Sequence, residues 1–405
     1  MAGSERDARS VLGLLKDRDI ALFLAGKLLS SSGAWIQNIA AAVLMFELTR
    51  SALMVGLVST LQFFPTAALA LLAGMLSDRV DRRRLLMWGR GLSACVICGL
   101  SLLLILRGVD GFGGPPVLLA VMGLSGVGWA ISMPPMQALI PALVPPADLE
   151  QALATNAAVP SLARTVGPVI GAGLLVLGGP ALAFGVAGAG HVLFVVLLMI
   201  VRPRPVARLG RASIFGGLGY LWIDRRALWL IVGVAMLNFG ADPVLTLSPS
   251  LANSLDYGEE AVGFLVTTFG AGAVFLSVAL RRLRRLLTLR LTGIVGYLVA
   301  GIGLAVVAFS TELIGALVGF FLNGVGWMMA TVSVTTRIQR RVPEELRGRV
   351  MALWSLAFLG CRPVAALASG WIADEVSLQA AFLTAAVLTG LSAVFSRVSY
   401  PEPLR

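Results

Sequence analysis

Gly126-Val127-Gly128-Trp129 recurs 198 residues further on as Gly324-Val325-Gly326-Trp327. The same offset relates Val144-Pro145 to Val342-Pro343 and Arg164 to Arg362. Three matches at one spacing, close to half of a 405-residue chain, indicate a duplicated unit. Both copies are set in strongly apolar sequence. Hydrophobic residues make up 58% of the chain and charged residues 13%, about half the charge of an ordinary soluble domain. The mean hydropathy is +0.89. Glycine, at 46 residues, is abundant, and small residues let helix backbones approach closely in lipid, where water supplies no drive for association. This composition excludes a soluble enzyme.

A membrane-crossing helix needs about 20 apolar residues. Twelve such runs lie near 20–46, 52–76, 85–106, 117–140, 155–177 and 181–201 (spans 1 to 6), and near 227–247, 261–280, 291–310, 313–335, 350–372 and 378–396 (spans 7 to 12). Gly178, Gly179 and Pro180 leave only a tight turn between spans 5 and 6. The expected fold is an all-α polytopic membrane protein: twelve transmembrane helices in two pseudo-symmetric six-helix bundles, 1–201 and 227–405. A basic linker, 202–226, carries Pro203 and Pro205 between them. The first run is longer than a signal-peptide core and follows a segment of mixed charge, so it is expected to be a retained span.

The net charge of +11 would suit a nucleic-acid binder if the basic residues clustered on one exposed face. They sort by loop instead. With the N-terminus inside, 27 of the 32 basic residues fall on one side, among them Arg79, Arg82, Arg83, Arg84 and Arg90 after span 2. Only Arg50 and Arg107 fall in outer loops, which hold eight acids, including Glu47, Asp374 and Glu375. Such asymmetry sets orientation. It predicts a multi-pass cell-membrane protein with both termini cytoplasmic, acting as a monomer with the bilayer as partner and no nucleic acid.

Ionisable residues inside spans are costly and mark candidate function. Asp242 in span 7 is the one acid clearly inside, about 22 Å from the inner end at 1.5 Å per residue. Two readings are open for it: a carboxylate that binds protons, or an acid at the outer mouth capping a helix broken at Pro243. Glu47 is a second proton-coupling candidate, at an outer helix end. Lys27 lies only about 10 Å in, too shallow to pair with Asp242, and is expected to snorkel to the cytoplasm. Arg164 and Arg362 hold equivalent positions in the two repeats and either bind an anionic substrate or donate to carbonyls between helices. His191, alone in apolar span 6, reads as a packing or hydrogen-bonding residue. Cys95 and Cys98 form C-x-x-C within an apolar run, where neither metal nor redox chemistry has access, and Cys361 is read the same way. No phosphate-binding loop is present, so neither ATP nor any other cofactor is expected, and no metal.

Between spans 2 and 3 the chain reads Gly74-Met75-Leu76-Ser77-Asp78-Arg79-Val80-Asp81-Arg82-Arg83. This resembles the G-x-x-x-D-R-x-G-R-R signature of the major facilitator superfamily, with Asp81 where glycine is usual. Two parallel six-helix halves are that superfamily's plan. The resemblance implies that Gly74, Asp78, Arg79, Arg82 and Arg83 form a conformational-switch loop latching the outward-open state through span 11. Asp78 is expected as a capping acceptor or ion-pair partner. Gly33–Asn38, Glu47–Ser51, Met133–Pro141, Arg164–Pro168 and Arg340–Arg349 are similar to the transmembrane secretion effector, enterobactin-exporter-like branch. That likeness implies export of a small organic molecule in exchange for protons. Gly167-Pro168-Val169-Ile170-Gly171 resembles the core of the antiporter motif, which with Arg164 and Arg362 places an interface on spans 5 and 11. Leu162 stands where a leading glycine is expected. Span 4 has no charged residue, unlike that of many proton-coupled relatives.

The family plan lines the substrate cavity with spans 1, 4, 7 and 10. Each carries a polar or aromatic stripe at helical spacing. These are Trp35 and Asn38; Trp129 and Met136; Asn238 and Asp242; and Asn323, Trp327 and Thr331. Such a surface suits an amphipathic or aromatic molecule such as a drug, siderophore or secondary metabolite, and lacks the hydrogen-bonding density a sugar requires. The expected function is a secondary active exporter, a proton antiporter working by alternating access. A lysophospholipid flippase and a non-transporting scaffold are the alternatives. Sealing the cavity, as with Gly128→Trp, separates transport from scaffolding.

Overall fold

Every described residue in regular secondary structure is helical. The structure, a computed structural model, describes residues 11–204 and 214–397. Ten of the helices among them are long and apolar enough to cross a membrane. Two details reconcile ten with the twelve expected spans. Leu149–Ile200 is a single 52-residue element broken at Gly178 and Gly179, where Gly179 takes φ 66°, and so contains spans 5 and 6. Span 2 is divided at Leu69 into Ala52–Ala68 and Ala70–Arg79, each short of a full crossing. Large apolar side chains such as Ile105, Leu106, Leu177, Val278 and Ile314 remain exposed along these helices, a surface that lipid covers.

Packing divides the chain into two units, Met1–Ala40 with Ala68–Leu209 and Ala41–Ala67 with Gly210–Arg405. The sequence suggested a division within 202–226. The difference is the segment 41–67, which packs within the second unit, and particular contacts hold it there. Ala52 N and Leu53 N donate to the two carboxylate oxygens of Asp374 at 2.8 and 2.9 Å, and the Ser51 hydroxyl donates to the same group. Met54 N donates to Ser51 Oγ at 3.1 Å. The first three amides of Ala52–Ala68 are thereby satisfied, two of them by a residue of another helix, Arg362–Glu375. Lower down, Thr60 Oγ1 donates to Pro363 O at 3.2 Å, and a Cβ on Gly56 would lie 2.5 Å from Ala366 O.

Within the first unit, an apolar cluster of Ile20, Phe23, Leu24, Leu86, Met136, Leu139, Phe194 and Leu198 joins the N-terminal ends of spans 1 and 3 to the C-terminal ends of spans 4 and 6. Met136 is thus part of a packed core. Spans 3 and 4, Arg82–Gly111 and Gly114–Ala138, meet at Gly89 and Gly128. A Cβ on Gly128 would lie 2.5 Å from both Gly89 O and Ser93 Oγ. Gly128 is therefore a helix-contact position, and Gly128→Trp would break packing rather than seal a cavity. The repeat shows the same device in the second unit, where a Cβ on Gly326 would lie 2.2 Å from Ala300 N, between Leu289–Ala308 and Leu313–Arg341.

Candidate functional site

The signature loop fastens helix ends. Arg82 Nη1 donates to Ala138 O at 3.2 Å, and Arg83 donates to Leu198 O and Met199 O. These carbonyls close spans 4 and 6 and have no partner within their own helices. Asp81, which replaces the usual glycine, is the N-cap of span 3 and accepts from Arg84 N at 2.8 Å. Asp81 thus supplies the side-chain cap of that helix. Backbone at Gly74 and Asp78 is helical, the Asp78 side chain lies outside the described residues, and Arg79 is exposed.

Span 5 lies hard against span 1. A Cβ on Gly167 would come within 2.6 Å of Trp35 Cβ, and one on Gly171 within 3.2 Å of Ile36 Cα. Pro168 between them is buried. Arg164, one turn earlier, sets its guanidinium 5.2 Å from the Trp35 ring centre. Asn38, one turn beyond Trp35, is buried.

Lys27 is not a snorkelling residue. It is 3% exposed and donates to the backbone and side-chain oxygens of Asn156. Asn156 in turn donates to Gln137 Oε1 at 3.1 Å. The amide supplies the acceptors that the lysine would otherwise seek in water. Arg90, counted by position among the cytoplasmic arginines, is 1% exposed and lies over the Trp129 ring at 4.4 Å. Sequence reasoning missed it because it follows a run of loop arginines, although it falls inside the apolar stretch 85–106. His191 bridges Ser30 Oγ at 2.7 Å and Gln37 Oε1 at 3.2 Å, and Gln37 Nε2 donates to Ser125 Oγ.

In the second unit, Asp242 is 1% exposed. Arg362 Nε donates to its Oδ1 at 3.4 Å, and Thr246 Oγ1 donates to Oδ2 at 2.7 Å. The Arg362 guanidinium lies 4.1 Å from the Phe63 ring centre. Both partners sit at helix breaks immediately before a proline. Asp242 separates Arg225–Ala241 from Pro243–Thr246, and Arg362 opens Arg362–Glu375 after the break at Cys361. A helix cut at such points can change direction there. Glu47 is exposed at the C-terminal end of Arg18–Thr49.

The predicted stripe residues of the second unit come partly together. Trp327 packs against Phe269 and Phe358, with ring centres 5.7 and 6.1 Å apart, and Trp354 stacks on Phe358 at 5.1 Å. The Asn238 side chain donates to Phe358 O. Thr331 Oγ1 is buried with no hydrogen-bond partner among the described residues. Asn323 turns the other way and donates to Ala300 O of span 9 at 3.1 Å.

At the N-terminal end of span 7, Asp224 caps the helix by accepting from Arg226 N and Ala227 N. It also pairs with Arg341 and accepts from Tyr220 Oη at 3.0 Å. Burial raises this carboxyl, but the hydrogen bonds from Arg341, Tyr220 and the Ala227 amide outweigh it and hold it below the usual carboxylate range.

These features define a polytopic α-helical protein of the major facilitator fold. Three solved structures share that fold. A bacterial homolog of the human lysosomal transporter Spinster is similar at a TM-score of 0.76 and 14% identity, covering 94% of this chain and 96% of its own. The D-xylose-proton symporter matches at 0.75 and 15%, covering 95% and 97%. The nucleoside transporter NupG matches at 0.74 and 12%, covering 95% and 99%. Residues 12–402 match the transmembrane secretion effector family, and the chain belongs to it. Among curated proteins, the enterobactin exporter EntS of Escherichia coli O1:K1 is 28% identical over 358 residues, 85% of this chain and 83% of that protein. The EntS of Shigella boydii serotype 4 is similar to the same extent.

Proposed function

We propose that this protein is a secondary active exporter of a small amphipathic organic molecule, driven by proton entry through the cytoplasmic membrane. Its likeness to an enterobactin exporter supports the direction of transport. The buried Asp242–Arg362 pair carries the proposal of proton coupling. An ionised carboxylate this deep is tolerable only while its guanidinium and hydroxyl partners hold it. Protonation removes the charge that Arg362 answers and frees both helix breaks to move. Loss of the proton restores the pair. Proton binding and rearrangement of spans 7 and 11 are thereby one event, as alternating access requires. The aromatic group of Trp327, Phe358 and Trp354 supplies a surface for the apolar part of the substrate. The signature loop sits on the cytoplasmic face with both termini, and one chain is sufficient for transport.

The test is transport in proteoliposomes of a fluorescent amphipathic efflux substrate under an imposed pH gradient. Wild-type protein moves the compound when the gradient is present and stops when a protonophore collapses it. Asp242→Asn abolishes the gradient dependence. Transport that ignores the gradient refutes proton coupling, and full gradient-driven transport by Asp242→Asn refutes the assignment of the carboxylate. Reporter fusions at the two termini read the orientation directly.

A further inference from the structure

Arg90 is the largest fully buried side chain among the described residues, yet none of its three guanidinium nitrogens has a hydrogen-bond partner among them. The indole N–H of Trp129, whose ring carries that guanidinium at 4.4 Å, is buried and equally without one. Lys27 and His191 lie within electrostatic reach of Arg90. Lys27 already donates to Asn156, and His191 to or from Ser30 and Gln37. What remains unanswered in this part of the first unit is a set of donors: a planar fork and an indole N–H, backed by a second cation.

Depth brings these groups into one layer. Lys27 lies nine residues from Arg18, Arg90 eight from Arg82, Trp129 nine from Ala138 and His191 nine from Ile200. At 1.5 Å per residue each is about 12–14 Å from the inner end of its helix. Four helices thus present a cationic, donor-rich level inside an apolar core. A buried guanidinium left without acceptors is costly, and its geometry is that of a bidentate partner for a carboxylate or another oxyanion.

We propose that Arg90, backed by Lys27 and stacked on Trp129, is a binding site for the anionic group of the transported molecule. The substrate is then an organic anion: an oxyanion joined to the amphipathic body of the exporter reading, for which a naphthyl group stands in below. The oxyanion accepts from the Arg90 fork and the Trp129 N–H, while Lys27 supplies a second positive charge. The nitrogens are closed to water in this state, so occupancy belongs to a second conformation of the unit. The inference rests on the exporter reading for the word transported, but binding at Arg90 is measurable without transport.

The experiment uses the purified full-length protein in detergent and three probes: 1-naphthoate, its neutral isostere 1-naphthamide, and inorganic phosphate. Affinity is read by titrating the shift in thermal unfolding temperature. Wild-type protein is expected to prefer naphthoate over naphthamide by at least ten-fold and to respond weakly to phosphate. Arg90→Gln and Lys27→Met are expected to reduce the preference to two-fold or less, and Arg90→Lys, which keeps the charge without the fork, to fall between. If Arg90→Gln does not fold, Lys27→Met and Trp129→Phe carry the comparison. Equal affinity for acid and amide overturns the proposal. So does a phosphate response as strong as that to naphthoate, which would mark an inorganic-anion site. A preference that survives the Arg90 and Lys27 substitutions also overturns it. Wild-type protein that binds naphthoate in this way but moves no substrate in proteoliposomes would refute the exporter reading and leave the anion site standing.

Discussion

Replacing Asp374 with alanine tests how the N-terminal end of span 2 is held. The substitution removes the acceptors for Ala52 N and Leu53 N and the partner of the Ser51 hydroxyl. Loss of an acceptor at a helix N-terminus costs about 1 kcal/mol. Loss of a hydroxyl-to-carboxylate bond at a half-exposed site costs about another 1 kcal/mol. No further Coulomb contribution is counted, because Asp374 is exposed. The sum of about 2 kcal/mol corresponds to about a 30-fold rise in the population in which Ala52–Ala68 has separated from Arg362–Glu375. Ser59 is 3% exposed on the held helix. In a background with Cys95, Cys98 and Cys361 replaced by alanine, a Ser59→Cys thiol is therefore labelled by a membrane-impermeant maleimide at a rate set by that opening. Asp374→Ala should accelerate labelling about 30-fold, and Asp374→Asn, with one accepting oxygen left, should fall between. Glu375→Gln, one residue away and outside these bonds, should change nothing. An acceleration below three-fold for Asp374→Ala, or an equal one for Glu375→Gln, refutes the reasoning.

Other outcomes follow from the packing and the caps. Gly326→Ala places a methyl against the Ala300 amide, where backbone cannot yield to a flexible side chain, so it should cost about 1–3 kcal/mol or more and lower the melting temperature in detergent. Gly99→Ala, with nothing within 4 Å, is the neutral control. Arg83→Ala leaves the last carbonyls of span 6 without their donor and should destabilise by about 1–2 kcal/mol, read by faster hydrogen exchange near Leu198. Asp224 has its carboxyl depressed in the fold, so its contribution is present at neutral pH, above the unfolded value, and is lost as pH falls below about 4. A pH series of melting temperatures should show that loss in the wild type and not in Asp224→Asn.

The spans and the repeat were legible because lipid imposes them locally: length, apolarity and loop charge each read directly from adjacent residues. The break between spans 5 and 6 was legible for the same reason, since Gly178-Gly179-Pro180 leaves the chain little choice. What escaped depends on contacts between distant residues. Lys27 looked able to reach water because nothing near it in sequence announces Asn156. Arg90 was assigned to the loop by its arginine neighbours, whereas its burial follows from the meeting of spans 3 and 4 at Gly89 and Gly128. Asp242 stood out as the one deep acid, and Arg362 as a deep base at matching depth, but nothing in the sequence sets spans 7 and 11 side by side there. Span 2 reads as one apolar run, and only its capping by Asp374 shows where its outer half belongs.

The bonds from Arg82 and Arg83 also bear on how the chain is built. Their acceptors, Ala138 O and Leu198 O, are synthesised 56 and 115 residues later. On a ribosome that releases the chain from its N-terminus, these two donors are made before either receiving helix exists. Spans 4 and 6 then arrive at donors already made, and these bonds of the first unit are complete only when the Leu198 and Met199 carbonyls reach Arg83. A chain stalled before residue 198 would leave the Arg83 guanidinium without its two carbonyl acceptors, a difference between an unfinished copy and a finished one.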